Sequence, residues 1–265
     1  MVFALYNKHA LRLGHVWFAT DENISALLSK KHTKADLLFI HGVNSSFIEE
    51  NCTCIKLSSQ FSLIKHLNDN KEELWNSFGK HLKSYIKRSQ RENATVRFFE
   101  NSEIDGDLLK TCAKLYEQMK AAKGIPSTFN YTLTKCYAHQ NAIVIALAYV
   151  DHVPVGFSAY ILDDTHSRAW LTAFAFREDE FDSQAVSRAH QLLEWETMCY
   201  CCDRGIKSYD FGGIDNFDNP NGIDKFKMSF AKEGACVTYD NYLVGVSPIG
   251  KAAIAGYNIL KKLRG

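Results

Sequence analysis

Nowhere does the sequence hold an apolar run of the roughly 20 residues that a membrane-spanning helix needs. The longest, Ala142 to Val150, is strand-sized. The stretch from Met1 to Phe18 carries charges inside its apolar residues and shows no signal-peptide cleavage site, so a cytoplasmic protein with no membrane span is expected. Charge of one sign is also lacking. A formal net charge of +1 excludes a chain-wide surface for polyanions and leaves room for local basic patches only. Proline is scarce at 4 residues, while Phe 17 and Tyr 12 supply large apolar bodies, which suits a compact core with few disordered linkers. The 8 cysteines do not form the paired knuckles of a zinc site: Cys52 and Cys54 are two apart, and Cys199, Cys201 and Cys202 fall together on one predicted helix. They read as reduced, mostly buried thiols, with no metal.

The readable part begins at Lys71. Leu74, Phe78, Leu82, Tyr85 and Ile86 recur at helical spacing, and the helix they predict ends near Asn93, a residue that tolerates the left-handed conformation. Thr95 to Phe99 reads as a strand and Ile104 to Lys123 as a second helix, stopped by Gly124 with Pro126 beyond. Strands follow at Ala142 to Val150, Val153 to Leu162 and Ser167 to Phe176, the first two joined by a hairpin-like Asp151-His152. A long helix, Gln184 to Arg204, precedes a short strand, Ile206 to Phe211. An Asn/Asp/Gly-rich loop then leads to a helix at Ile223 to Phe230, a strand at Cys236 to Val244 and a basic helix at Ile249 to Leu263. Before Lys71 the sequence predicts strands at Ala35 to Ile40 and Cys52 to Leu57 and a short helix at Phe61 to Leu67. The expected division is residues 1–70 as an N-terminal segment or partial lobe and 71–265 as the main domain. This order predicts an α/β sandwich on a mixed sheet whose first strands form a meander.

Two stretches carry a resemblance. Gly205-Ile206-Lys207-Ser208-Tyr209-Asp210-Phe211-Gly212-Gly213-Ile214 and Asn221-Gly222-Ile223-Asp224-Lys225-Phe226-Lys227-Met228-Ser229-Phe230 resemble the Fem aminoacyltransferases, members of the GNAT-fold N-acyltransferases. Tyr85 to Asn93 is similar to that family's basic helix end, with Asn93 where Gly is usual, and Ser187 to Glu196 to its long central helix. The resemblance implies a GNAT-like fold, a mixed and mostly antiparallel central sheet flanked by helices, and an acyltransferase of cell-envelope type. It also implies that Phe226 and Lys227 lie at the acyl-transfer site, Lys227 as electrostatic stabiliser, and that Lys87, Arg88 and Arg91 contact an acceptor's phosphates.

The residues themselves leave each role two-sided. Asp210 reads equally as an acceptor contact and proton acceptor or as a turn-forming carboxylate. Gly212 and Gly213 permit positive φ or close approach of a ligand beside Tyr209. Phe226 and Phe230, four apart, pin an amphipathic helix, and a run such as Lys80, Lys83, Lys87, Arg88 and Arg91 is in the common case a solvated face. His190 reads as a packing or hydrogen-bonded histidine. Glu194 and Glu196, facing opposite sides, do not read as an acid/base pair.

The expected function is therefore N-acyl transfer to the amine of a small or nucleotide-linked acceptor, an amino sugar or cell-envelope precursor. Compact size and modest charge favour acyl-CoA as donor. The alternative, aminoacyl-tRNA in peptidoglycan or surface-polymer synthesis, is favoured by the Fem motifs. It is also favoured by the segment Arg177 to Gln184, which has four acids where GNAT enzymes carry a Gly-rich pyrophosphate loop. A third reading is a non-catalytic binding module that keeps the fold.

Overall fold

The structure, a computed structural model, describes residues 1–29, 33–43, 46–176, 181–232 and 234–264, with side chains to residue 261. In chain order the elements are β1 (Val2–Lys8), β2 (Leu11–Trp17), α1 (Asp21–Leu28), β3 (Leu37–Val43), α2 (Phe47–Asn51) and β4 (Cys54–His66). Next come α3 (Lys71–Asn76), α4 (Lys80–Arg91), β5 (Ala94–Glu100), α5 (Gly106–Ala122), α6 (Tyr131–His139), β6 (Ile143–Val150), β7 (Val153–Leu162) and β8 (His166–Phe174). The chain ends with α7 (Ser183–Asp203), β9 (Ser208–Ile214), α8 (Gly222–Phe230), β10 (Ala235–Gly245) and α9 (Pro248–Arg264). Two compact units result, Met1–Ser62 with Val237–Gly265, and Leu63–Cys236. Residues 237–265, read from sequence as the end of the main domain, thus pack with the first 62 residues.

In the first unit, β1 and β2 form an antiparallel hairpin and β2 pairs with β3 in parallel, from Leu13↔Leu37 to Trp17↔His41. A parallel pair requires a crossover, and α1 supplies it. Thr20 caps α1 by accepting from the Asn23 N–H, while the Asn23 side chain accepts from the Thr20 N–H. Ile24 and Leu27 of α1 then pack with Val16, Leu38, Ile40, Tyr242 and Val244. β10 runs antiparallel to β3.

The second unit is built on the meander β5–β6–β7–β8, every pair antiparallel, with β9 added to β8 in parallel. β6 is buried at each position from Ile143 to Ala148, so both faces of the sheet are covered. Val144, Ala146 and Ala148 share a core with α4 and α7, while α5 packs on β7 and β8 and α6 on β6. The expected hairpin at Asp151-His152 is present, both residues having positive φ, 47 and 67. Asn93 likewise closes α4 at φ 57.

Two readings of the sequence are corrected. The short helix expected at Phe61 to Leu67 is the end of β4. Ser62, Leu63, Ile64 and Lys65 are all buried there, and a run buried on both faces shows neither helical nor strand period. The single helix expected from Leu74 to Asn93 is two, α3 and α4, broken at Ser77 to Gly79. The hairpin β1–β2 and helix α6 lay unread in the sequence.

Helices α4 and α7 are tied by charge. Glu92, at the end of α4, accepts from Arg88 at 2.7 Å and from the buried Arg188 of α7 at 2.6 Å. Burial pushes the Glu92 carboxyl up, and the hydrogen bonds and charges of Arg188 and Arg88 more than offset it, so it is held below its ordinary value. A depressed carboxylate contributes stability that is complete above the unfolded-chain value of about 4.3 and is lost as pH falls through the folded one. Glu92→Gln should therefore lower the unfolding free energy by about 1.5 kcal/mol at neutral pH, the low end for a charged hydrogen bond because Glu92 keeps some contact with water. In urea titrations the deficit should shrink below about pH 4.3 as the parent protonates.

Candidate active site

The site lies where β8 and β9 stop pairing. Their ladder runs over three pairs, His166↔Ser208, Ser167↔Tyr209 and Arg168↔Asp210. Beyond it, Ala169 to Phe176 on one side and Phe211 to Gly213 on the other become walls of a cleft of about 360 Å³. α5 contributes Leu115 and Met119, α7 contributes His190 and Glu194, and α8 contributes Ile223, Phe226 and Lys227. The lining is largely apolar, with few polar groups converging on it, as in small-molecule sites generally.

At the last paired rung, Arg168 and Asp210, both buried, form an ion pair. The second oxygen of Asp210 accepts the Gly212 N–H at 2.7 Å. This turn holds Gly212 at φ +76 and presents the Gly213 carbonyl to the cleft. There it accepts from the Lys227 Nζ at 2.5 Å. α8 is fixed by its own cap: Asn221 accepts from the Ile223 and Asp224 N–H groups, and the buried Asp224 accepts from those of Asp215, Asn216 and Asn221. Lys227 follows Asp224 by three residues and is half-buried. Burial pushes its ammonium below the ordinary lysine value, against the opposing charges of Glu194, Asp210 and Asp224.

Across the cleft, Glu194 is buried and accepts from the Tyr209 hydroxyl at 2.6 Å and the Tyr160 hydroxyl at 3.1 Å. Burial and the charge of Glu194 push both phenols well above their usual range, so both remain donors. The His190 Nε2 stands 3.6 Å from Glu194, an ion-pair distance once the ring is protonated. The imidazole is stacked between Phe174, 4.0 Å between centroids, and Phe226, 4.1 Å.

The structure thus brings together four of the residues singled out from sequence: Gly212, Gly213, Phe226 and Lys227 all line the cleft. Tyr209 sits one layer behind, orienting Glu194, and Asp210 is engaged by Arg168 and the Gly212 amide. Lys87 and Arg91 lie apart, on a shallow basic concavity of α4 shared with Lys80 and Lys83. Arg88 faces Glu92 instead. Residues 177–180 of the acidic segment before α7 lie outside the described residues. His190 and Glu194 are the additions. Their signal was the four-residue spacing on α7, which puts both on one helix face, and the packing role read for His190 holds beside its place on the cleft wall.

A Cβ on Gly212 would lie 3.3 Å from the Ala169 carbonyl oxygen and 3.9 Å from the Lys227 Nζ, in a left-handed conformation. Gly212→Ala should cost about 1–2 kcal/mol in urea unfolding. Gly222→Ala, with open space around it and ordinary backbone, should cost nothing or add stability.

Comparison with known proteins places the fold. The profile of the acetyltransferase (GNAT) domain matches residues 76–228, more than half of the chain. Among solved structures the fold is similar to that of FemX, at 16% identity and TM-score 0.59, covering 90% of this chain and 83% of that one. It is also similar to the C-terminal domain of a lysylphosphatidylglycerol synthetase from Agrobacterium fabrum, at 12% identity and TM-score 0.54, covering 97% and 85%. The corresponding figures for L-PGS from Bacillus licheniformis are 11%, 0.52, 96% and 84%. No curated protein matches the sequence. The chain belongs to the GNAT family of acetyltransferases and is an acyltransferase.

Proposed function

We propose that the protein is an N-acyltransferase that moves an acyl group from acyl-CoA to the amine of a small or nucleotide-linked acceptor, such as an amino sugar or cell-envelope precursor. The observation that carries this reading is Lys227: a lysine with a lowered pKa, its ammonium aimed into an apolar cleft opposite an oriented carboxylate. In the reaction the amine nitrogen attacks the acyl carbonyl, a C–N bond forms and the carbonyl oxygen becomes an oxyanion. Lys227 stabilises that oxyanion in surroundings where a charge is worth more than in water. His190, held against Glu194, takes the proton released by the nitrogen, and Glu194 stabilises the imidazolium. Collapse breaks the C–S bond, and the proton passes from His190 to the departing thiolate. Asp210 acts as a positioning residue, through the Gly212 turn that sets the lysine's acceptor.

A second reading, aminoacyl-tRNA as donor, is favoured by a separate feature. Lys80, Lys83, Lys87 and Arg91 gather on one face of α4, which suits a phosphate backbone as well as an acceptor's diphosphate. One neighbour in fold is named for a lysyl product, which is in keeping with that donor class.

The test is a set of substitutions at Lys227 read by turnover and pH. Lys227→Met should fold with its melting temperature little changed, since it removes a charge that burial disfavours. It should lose about 100- to 1,000-fold in kcat, the loss seen when an oxyanion donor is removed. Only the protonated lysine serves, so parent activity should fall as pH rises through a value below that of free lysine. Lys227→Arg, which stays charged, should move that alkaline limb upward. Full turnover in Lys227→Met, or an alkaline limb indifferent to Arg, would rule this role out.

A further inference from the structure

Helix α9 is built against its own amphipathicity. At 100° per residue, Ile249, Ala252, Ala253, Gly256, Tyr257, Ile259 and Leu260 fall within an arc of about 160°. The opposite arc holds Lys251, Asn258 and Lys261. A helix of this pattern normally buries its apolar arc, and this one does not. Ile249, Tyr257, Ile259 and Leu260 are each more than half exposed. The helix is anchored instead from its polar side. Ile254 is buried with Leu13 and Leu37, and Gly250 lies so close to the backbone of Asp36 that a Cβ there would meet its carbonyl oxygen. Past Gly256 every described side chain, Tyr257 to Lys261, is exposed. From Ile249 to Leu260, just over three turns of helix therefore carry an apolar face that no described residue covers.

The charge on α9 says what covers it. Lys251, Lys261, Lys262 and Arg264 are all cationic, and residues 248–265 contain no Asp or Glu. A second copy laid face to face would bring cations alongside cations with no acid on either helix to pair them. A sheet of anionic headgroups above an acyl region matches both halves of the pattern. The length decides between spanning and lying flat. Seventeen residues reach about 25 Å, short of the hydrocarbon core, and no described helix is apolar enough to cross a membrane. We propose that α9 is an interfacial anchor, lying in the plane of an anionic lipid surface with Ile249, Tyr257, Ile259 and Leu260 in the headgroup–acyl boundary. This assignment stands on α9 alone and is independent of the donor and acceptor proposed above.

The full chain is sedimented with vesicles of equal parts phosphatidylglycerol and phosphatidylcholine, and with phosphatidylcholine alone. Binding should be at least tenfold stronger to the anionic vesicles, since each cation near such a surface counts roughly fivefold. It should weaken as salt rises from about 0.1 M to about 1 M, where screening shortens from about 10 Å to about 3 Å. Tyr257→Glu with Leu260→Glu should release the protein from vesicles without changing its melting temperature, because both side chains already face solvent. Lys251→Gln with Lys261→Gln should weaken binding to anionic vesicles and leave the phosphatidylcholine result unchanged. The proposal is overturned if anionic vesicles do not bind the parent, or if the glutamate pair binds them as well as the parent does. It is equally overturned if the parent is a dimer that the glutamate pair breaks while vesicles are ignored, in which case a second copy is the occupant.

Discussion

The cleft depends on one buried ion pair. Arg168 of β8 and Asp210 of β9 form the last rung of the parallel ladder, and the same carboxylate holds the Gly212 amide. Water is excluded from both side chains, so each charge draws much of its tolerance from the other. A pair of this kind contributes geometry more than net stability: an apolar pair of similar volume could occupy the site, but it could not grip an amide. That grip turns the chain at Gly212, brings the Gly213 carbonyl to Lys227 and lets β8 and β9 separate where the cleft opens. Losing either member would leave the other buried without its opposite charge, at a cost of about 3–5 kcal/mol.

Two other buried carboxylates are partnered in the same way. Glu194 takes two tyrosine hydroxyls, and Asp224 takes three backbone N–H groups. For Asp224 burial pushes the carboxyl up, and the three amides outweigh it, holding the value below the ordinary one. These carboxylates cannot move without leaving a donor unpaired in a dry site, which is what keeps α7, α8 and β9 in register around the cleft. Lys227 differs: the charges of Glu194, Asp210 and Asp224 relieve the burial of its ammonium only in part, so its value stays below that of ordinary lysine.

How much of this was legible in the sequence depended on whether local chemistry or tertiary burial set the pattern. The stretch from Ser208 to Phe230 announced its turn and its helix through Gly212, Gly213 and Asn221, whose roles are local. The hairpin at Asp151-His152 and the stop at Asn93 were readable for the same reason. The end of β4 was not, because Leu63 and Ile64 are buried beside Ser62 and Lys65. Lys65 survives there by donating to Ser77 Oγ, a partner that no sequence rule names. Arg168 could not be foreseen as the partner of Asp210, 42 residues away, nor could Glu194 be told from a solvated helix acid before Tyr160 and Tyr209 closed over it.

The central claim is that the opening between β8 and β9 is where the acyl donor binds and reacts. Amide hydrogen exchange followed by mass spectrometry, with and without acetyl-CoA and then aminoacyl-tRNA, tests it most directly. The account predicts that a donor slows exchange in Ala169 to Phe174 and Phe211 to Gly213, with acetyl-CoA the effective one. Unchanged exchange in both segments with either donor, at concentrations that support turnover, would contradict it.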